Sequence, residues 1–382
     1  MRRFSDWLIA CVFACVFAFG GVARAQGKAK PPKPAKDDTS LVAKLRRDTL
    51  QQKKLAKLPH DSSKIAAFYA ETSPLAITLT TNIKPLRDDK SDKASYRPAT
   101  LSYVADGKTV VVPARVRTRG IWRLKTCDFP PLRVNFTNED AKKTVFKGID
   151  NPKLVSYCQD TDAGEQYVLQ EFQLYRIYRL LTPASHAPRL VRMTYADSGT
   201  NKPRTTRYAF FTEDPDALAA RMSGKILDLP GAGPNDVAPF PSALVGVFNY
   251  LIGNTDFATS ALHNAEVIAR DNGDIWPVVY DFDFSGAVNA RYATPDPKLN
   301  IRSVRDRVYR GYCVPVEEYP KVFALFNEKK DAIYALYRDE IGQLLRKETV
   351  DATLRYFDDF YRTINNPRQA KEAIIDACLG KK

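Results

Sequence analysis

The feature that most constrains this chain is a change of hydrophobic period near residue 160. Before it, apolar and polar residues alternate in the short runs 75–81, 99–104, 110–118, 132–136 and 153–157, broken by turn formers such as Asp106-Gly107. A period of two is the signature of half-buried strands. From Glu165 onward, Val168, Leu169, Phe172, Tyr175, Ile177, Tyr178 and Leu181 recur at helical spacing until Pro183 stops them. A hairpin is then expected at 190–195 and 206–212. Beyond a Gly/Pro-rich stretch at 228–241, residues 242–253 read as a helix ended by Gly253, and 265–270 with 276–280 as a hairpin around Asp271-Asn272-Gly273. The chain from about residue 316 reads as helical. These periods predict an α+β, bilobal protein. Its β-rich N-terminal lobe (71–227) carries one long helix, a linker spans 228–241, and the C-terminal lobe (242–382) is mainly helical. A ligand would sit between the lobes.

The N-terminus reads as a targeting signal. Met1, Arg2 and Arg3 precede an apolar run from Trp7 to Phe19, and Ala23-Arg24-Ala25 is an A-x-A cleavage pattern. The run is shorter than the ~20 residues a spanning helix needs, so residues 1–25 are expected to be removed and the chain to be secreted or periplasmic, with no transmembrane helix left. Removal deletes three arginines and one aspartate, taking the formal charge from +14 to +12. Such a field attracts polyanions or simply solubilises the chain. Residues 26–38, rich in Lys, Pro and Ala, read as a disordered basic linker, and 39–70 as an amphipathic helical lead-in.

Cys11 and Cys15 leave with the signal, so Cys127, Cys158, Cys313 and Cys378 remain. Four cysteines in an oxidising compartment allow three pairings. Cys127 with Cys158 and Cys313 with Cys378 is the favoured one, because each bridge would staple one half of the chain. Neither C-x-x-C nor a Cys/His zinc spacing occurs among these four and His60, His186 and His263.

Acidic and amide groups gather at element ends in the second half. Gly253-Asn254-Thr255-Asp256 closes a helix, His263-Asn264 precedes a strand, and Asp281-Phe282-Asp283 follows the hairpin. One Asp can accept a hydroxyl proton, while Asn and a second Asp can hold a hard cation through oxygen. Taken singly, Asn254 and Asp256 also read as turn and cap residues, and Asp281 and Asp283 as a satisfied turn or a calcium site. Ser185-His186 lacks an acid partner for a hydrolase triad. The basic run 218–225 lacks the aromatics of a nucleic-acid contact, and none is expected. The Tyr/Arg-rich run 304–312 reads as packing or substrate contact.

In this order the motifs resemble the spore coat protein H family, the CotH-type secreted kinases with an atypical protein-kinase fold. The resemblance covers about residues 75–284. It rests on Val116-Arg117-Thr118-Arg119-Gly120, Pro131-Leu132-Arg133-Val134-Asn135-Phe136, Tyr208-Ala209-Phe210-Phe211-Thr212-Glu213 and the three motifs above. It implies Mg-ATP in an inter-lobe cleft and phosphate transfer to Ser/Thr of an envelope or secreted protein. By the same resemblance Asp256 would be catalytic, with Asn264, Asp281 and Asp283 as metal ligands or orienting groups. Arg119, Lys125, Arg133 and Glu213 would line the cofactor site. Phe129-Pro130 stand where the family has two lysines, which leaves Arg119, Lys125, Arg133 or Lys153 to meet the phosphates, and Glu171 to pair such a cation. A catalytically inactive interaction protein, or a domain binding an anionic polymer, are the readings from other classes.

Overall fold

The computed structural model describes residues 66–380 except 92 and 201. The expected signal peptide, the Pro-rich linker and most of the helical lead-in lie outside the described residues.

Alternation in the first half produces strands β1 (Leu75–Thr81), β2 (Arg97–Ala105), β3 (Lys108–Thr118), β4 (Leu132–Asn135), β5 (Lys153–Val155), β6 (Pro188–Asp197) and β7 (Lys202–Thr212). Every second side chain is buried, as at Ile77 and Leu79 in β1, Leu101 and Tyr103 in β2, and Val112, Ala114 and Val116 in β3. These strands do not form the N-lobe sheet of a bilobal, atypical kinase-like fold. They close into a seven-stranded mixed barrel in the order β1-β2-β3-β4-β5-β7-β6. The closing step is a parallel pairing of β1 with β6, from Leu75 opposite Val191 to Thr81 opposite Asp197, while the other neighbours run antiparallel. Closure leaves no open edge in the first half, and side chains fill the interior. Phe146 stacks on Phe136 at 4.6 Å and meets Phe68 at 5.2 Å. Phe129 stacks on Tyr157 at 5.4 Å and meets the edge of Tyr195 at 4.7 Å. Each such buried ring contributes roughly 1.5–3 kcal/mol of transfer free energy.

The long helix α1 (Asp162–Leu181) begins three residues before Glu165, because Thr161 caps it by accepting the Gly164 N–H at 3.0 Å. Asp162 and Glu165 add negative charge to its first turn. It is buried on several faces because β6 and β7 cover one side and α3 (Glu318–Ala335) another. Between them in sequence lies α2 (Pro239–Ile252), apolar along its length, with Gly253 at φ +65° ending it. A smaller sheet of β8 (Gly224–Ile226), β9 (Ala265–Arg270) and β10 (Ile275–Val279) packs on α2 through β10. The amphipathic α4 (Lys347–Ile364) buries Thr353, Tyr356, Phe357, Phe360, Tyr361 and Ile364, the stripe a surface helix needs.

Both favoured cysteine pairs are joined. Cys127–Cys158 links positions 31 residues apart and Cys313–Cys378 positions 65 apart. Such bridges belong to chains that fold in an oxidising compartment. Among the described residues no helix is long and apolar enough to cross a membrane.

Candidate active site

Where α2 ends, the chain turns back on itself. The Asn254 N–H donates to the Asn249 carbonyl at 2.8 Å and its amide donates to Asn249 Oδ1 at 2.9 Å, so Asn254 is buried scaffold. Its own Oδ1 accepts the Asp256 N–H at 3.0 Å. That bond fixes Asp256, whose carboxylate meets His263 Nε2 at 2.8 Å and accepts from Asn264 Nδ2 at 3.0 Å. The Asn264 amide also donates to the Asp256 carbonyl at 2.8 Å.

The second acidic segment follows β10 and is held by one turn of α1. The Asp281 N–H donates to the Tyr175 hydroxyl at 2.9 Å, and the Phe282 N–H to Glu171 Oε1 at 3.3 Å. Glu171 and Tyr175 are four apart and so share a helix face. Phe282 is fully buried, 4.7 Å from the Tyr175 ring and 5.4 Å from that of Phe248. With Phe282 inward, Asp281 and Asp283 both open on the same cavity.

That cavity has a volume of about 510 Å³. Asp256, Asn264, Asp281 and Asp283 line it from below, and Gly120, Ile121, Trp122 and Arg123 line it from the segment after β3. Asp281, Leu262 and Asn264, all on its wall, have φ of +62°, +52° and +47°. A left-handed backbone at non-glycine residues costs free energy and concentrates at functional sites.

Arg123, carried by the short helix Trp122–Thr126, is the functional residue that sequence reasoning missed. Its Nη1 lies 3.6 Å from Asp283 Oδ2, and its Nη2 donates to the Ser156 carbonyl at 2.6 Å. The Cys127–Cys158 disulfide sits at the end of this helix, and the Asp128 N–H donates to the Cys158 carbonyl at 2.8 Å. Burial pushes the Asp283 carboxyl up to about 6; Arg123 opposes this, Asp281 adds to it, and the Tyr292 hydroxyl, donating at 3.0 Å, also opposes it. Glu171 is raised well above the carboxylate range by burial and by Asp283 and Asp281, against Arg123 and Arg119. Arg119 is lowered by burial and partly restored by Asp281. The buried nitrogens Arg119 Nε, Arg123 Nε and Arg123 Nη1 have no hydrogen-bond partner.

None of the expected cofactor residues Arg119, Lys125, Arg133 and Glu213 lines the cavity, although Arg119 immediately precedes Gly120 on its wall. Lys125 is exposed on the short helix. Arg133 lies on β4 opposite Lys153, where its charge is felt by Lys153, Arg119 and Tyr280. The Glu213 carboxylate is taken by Arg221, at 2.9 and 3.0 Å, and by the Ala187 N–H at 3.1 Å, which makes it a strap across the barrel's end. Lys153 Nζ stands 4.0 Å over the Tyr280 ring and 3.6 Å from Glu266 Oε1, while His186 Nε2 holds the other Glu266 oxygen at 2.9 Å. Burial would raise Glu266, but His186 and Lys153 outweigh it and hold the carboxyl down at about 2. Lys153 loses more to burial than Glu266 returns, with Arg119 and Arg133 also against its charge, and lies below the usual lysine range. The run 304–312 packs under the site: Arg307 donates to the Tyr250, Leu251 and Tyr356 carbonyls at 2.9, 3.1 and 2.5 Å.

Among the described residues no three His, Cys, Asp or Glu side chains form a cage for an ion. The donors present, two carboxylates and an amide oxygen with the Arg123 guanidinium beside them, suit Mg²⁺ arriving with phosphate oxygens, since that ion is commonly held by one or two carboxylates plus its substrate. The chain matches no protein-family model and no curated protein.

Proposed function

We propose that this chain is an exported phosphotransferase that takes a nucleoside triphosphate with Mg²⁺ into the 510 Å³ cavity and passes a phosphoryl group to a Ser or Thr hydroxyl of an envelope or secreted protein. One observation carries it: Asp256, oriented by His263 and Asn264, shares a cavity with the Asp281/Asp283 pair, and Arg123 faces them. The motif resemblance to the spore coat protein H family agrees with these roles, although the barrel is not the fold it implies. The N-terminal signal pattern and the two disulfides support export.

Asp256 is 40 % exposed at its side chain, so a hydroxyl can reach it. Its carboxylate would take the hydroxyl proton as the acceptor oxygen bonds to the γ-phosphorus and the bond to the diphosphate leaving group breaks. Arg123 would supply donors to the oxygens where negative charge gathers, and its burial makes those donors count for more than they would in water. A divalent cation would add charge at the phosphates. Asp281 and Asp283 would hold it, both pinned by the contacts of Phe282 and α1. Asn264 bridges the two halves of the site, since it steadies Asp256 and lines the same wall.

Thermal shift and label transfer test this. The mature protein gains a Mg²⁺-dependent shift with ATP that Asp281→Ala removes, and label from γ-labelled ATP reaches a Ser/Thr acceptor except in Asp256→Ala. Binding without transfer in the wild type would leave an inert nucleotide-binding protein. No Mg²⁺-dependent binding would end the proposal.

A further inference from the structure

A second cavity, of about 470 Å³, adjoins the first at Asp256. Asp256, His263 and Phe284 belong to the walls of both cavities, whereas Asp281 and Asp283 line only the first, so a group in the second can reach Asp256 without occupying the place of the acidic pair. Its outer rim is the loop Thr294-Pro295-Asp296-Pro297, which two prolines stiffen. Among the described residues, the lysine or arginine on its wall is Arg310.

Among the described residues Arg310 has no partner for its charge. Its Nε is buried without a hydrogen bond, and among the described residues the guanidinium has no ion pair. The two carboxylates on the same wall are engaged elsewhere: Asp296 accepts the Lys298 N–H at 2.9 Å, and Asp256 is held by His263 and Asn264. The backbone that presents Arg310 is clamped. Arg307 binds the carbonyls at the end of α2. The Leu379 N–H donates to the Gly311 carbonyl and the Cys313 N–H to that of Leu379, both at 2.9 Å, beside the Cys313–Cys378 bridge. A guanidinium carried on a clamped backbone, with no ion pair among the described residues, is a receptor for a carboxylate or phosphate, which it meets through charge-assisted hydrogen bonds. The charge of +12 expected after signal removal draws acidic partners toward the protein.

We infer that this second cavity is the acceptor site and that it selects a hydroxyl within an acidic polypeptide segment, with Arg310 holding a neighbouring carboxylate while Asp256 receives the hydroxyl. The inference rests on the phosphotransferase reading and names its substrate class. The test uses three Ser peptides alike except for Glu, Gln or Lys at the positions flanking the serine. The wild type favours the Glu peptide over the Gln peptide in kcat/KM by about tenfold, the scale of one charge-assisted hydrogen bond. In Arg310→Gln that ratio collapses toward one through a higher KM for the Glu peptide, and Arg310→Lys recovers part of it. The Mg-ATP thermal shift, read on the same variants, reports their folding and nucleotide site. A variant that keeps the shift and the Glu preference overturns the inference alone, and so does a wild type that favours the Lys peptide. Loss of the shift in the wild type overturns the phosphotransferase reading itself.

Discussion

Replacing Lys153 by Met removes the lysine that, together with His186, holds Glu266, and its cost can be worked out. Lys153 sits on β5 of the barrel and Glu266 on β9 of the smaller sheet, so the pair welds the two sheets together. Their side chains are only 14 % and 12 % exposed, too little for solvent to screen the interaction away. The Glu266 carboxyl is lowered from 4.5 to about 2. At 1.36 kcal/mol per unit this is about 3 kcal/mol of stability, present above pH ~4.5 and lost as pH falls through the folded value. His186 remains in the variant, so Lys153→Met forfeits part of that sum and leaves the carboxylate less compensated in a buried place. The expected loss is about 2 kcal/mol at pH 7, which lowers Tm by about 4 °C in a chain of this size. Because Glu266 then titrates closer to its ordinary value, the acid limb of stability against pH also begins higher in the variant. Urea denaturation at pH 7 and across pH 2–5 measures both, and a cycle with Glu266→Gln isolates the pair. A coupling below about 0.5 kcal/mol, or acid limbs that superimpose, would refute the reasoning.

Two further predictions follow from the geometry. Cys127→Ser with Cys158→Ser, which opens a 31-residue separation, lowers stability by about 3–4 kcal/mol in guanidinium denaturation and weakens Mg-ATP binding, because the helix carrying Arg123 loses its anchor. In Gly246→Ala the new Cβ would lie 2.8 Å from Tyr309 Cζ and 2.9 Å from Gly311 Cα, so overpacking under α2 costs about 1–3 kcal/mol, read as a lower Tm than wild type.

The candidate site was partly legible in the chain because its residues come in short, dense motifs. Asp256, Asn264, Asp281 and Asp283 stand at ends of regular elements, where local period shows a turn and polar groups stand out. Arg123 carried no such signal. Its helix spans only Trp122–Thr126, too short for a period, and its partner Asp283 lies far along the chain. Glu213 shows the opposite limit of a local motif. A strand ending in Glu looked like a ligand group, but Arg221, eight residues on, folds back to take the carboxylate.

What the sequence determined by itself is local. β1 spans 75–81 as its alternation requires, α1 covers the helical run up to Leu181, and Gly253 ends α2 because a left-handed turn there is cheapest for glycine. The cysteine pairing was also within reach, since each bridge lies within one half of the chain. Only the tertiary structure decided that β1 and β6 would pair in parallel and close the barrel, and that α1 would lend Glu171 and Tyr175 to the Asp281-Phe282-Asp283 backbone. The physical reason is that periodicity reports which face of an element is buried. It carries no information about which distant surface does the burying, and a closed sheet with a shared acidic cavity depends on that choice of partners.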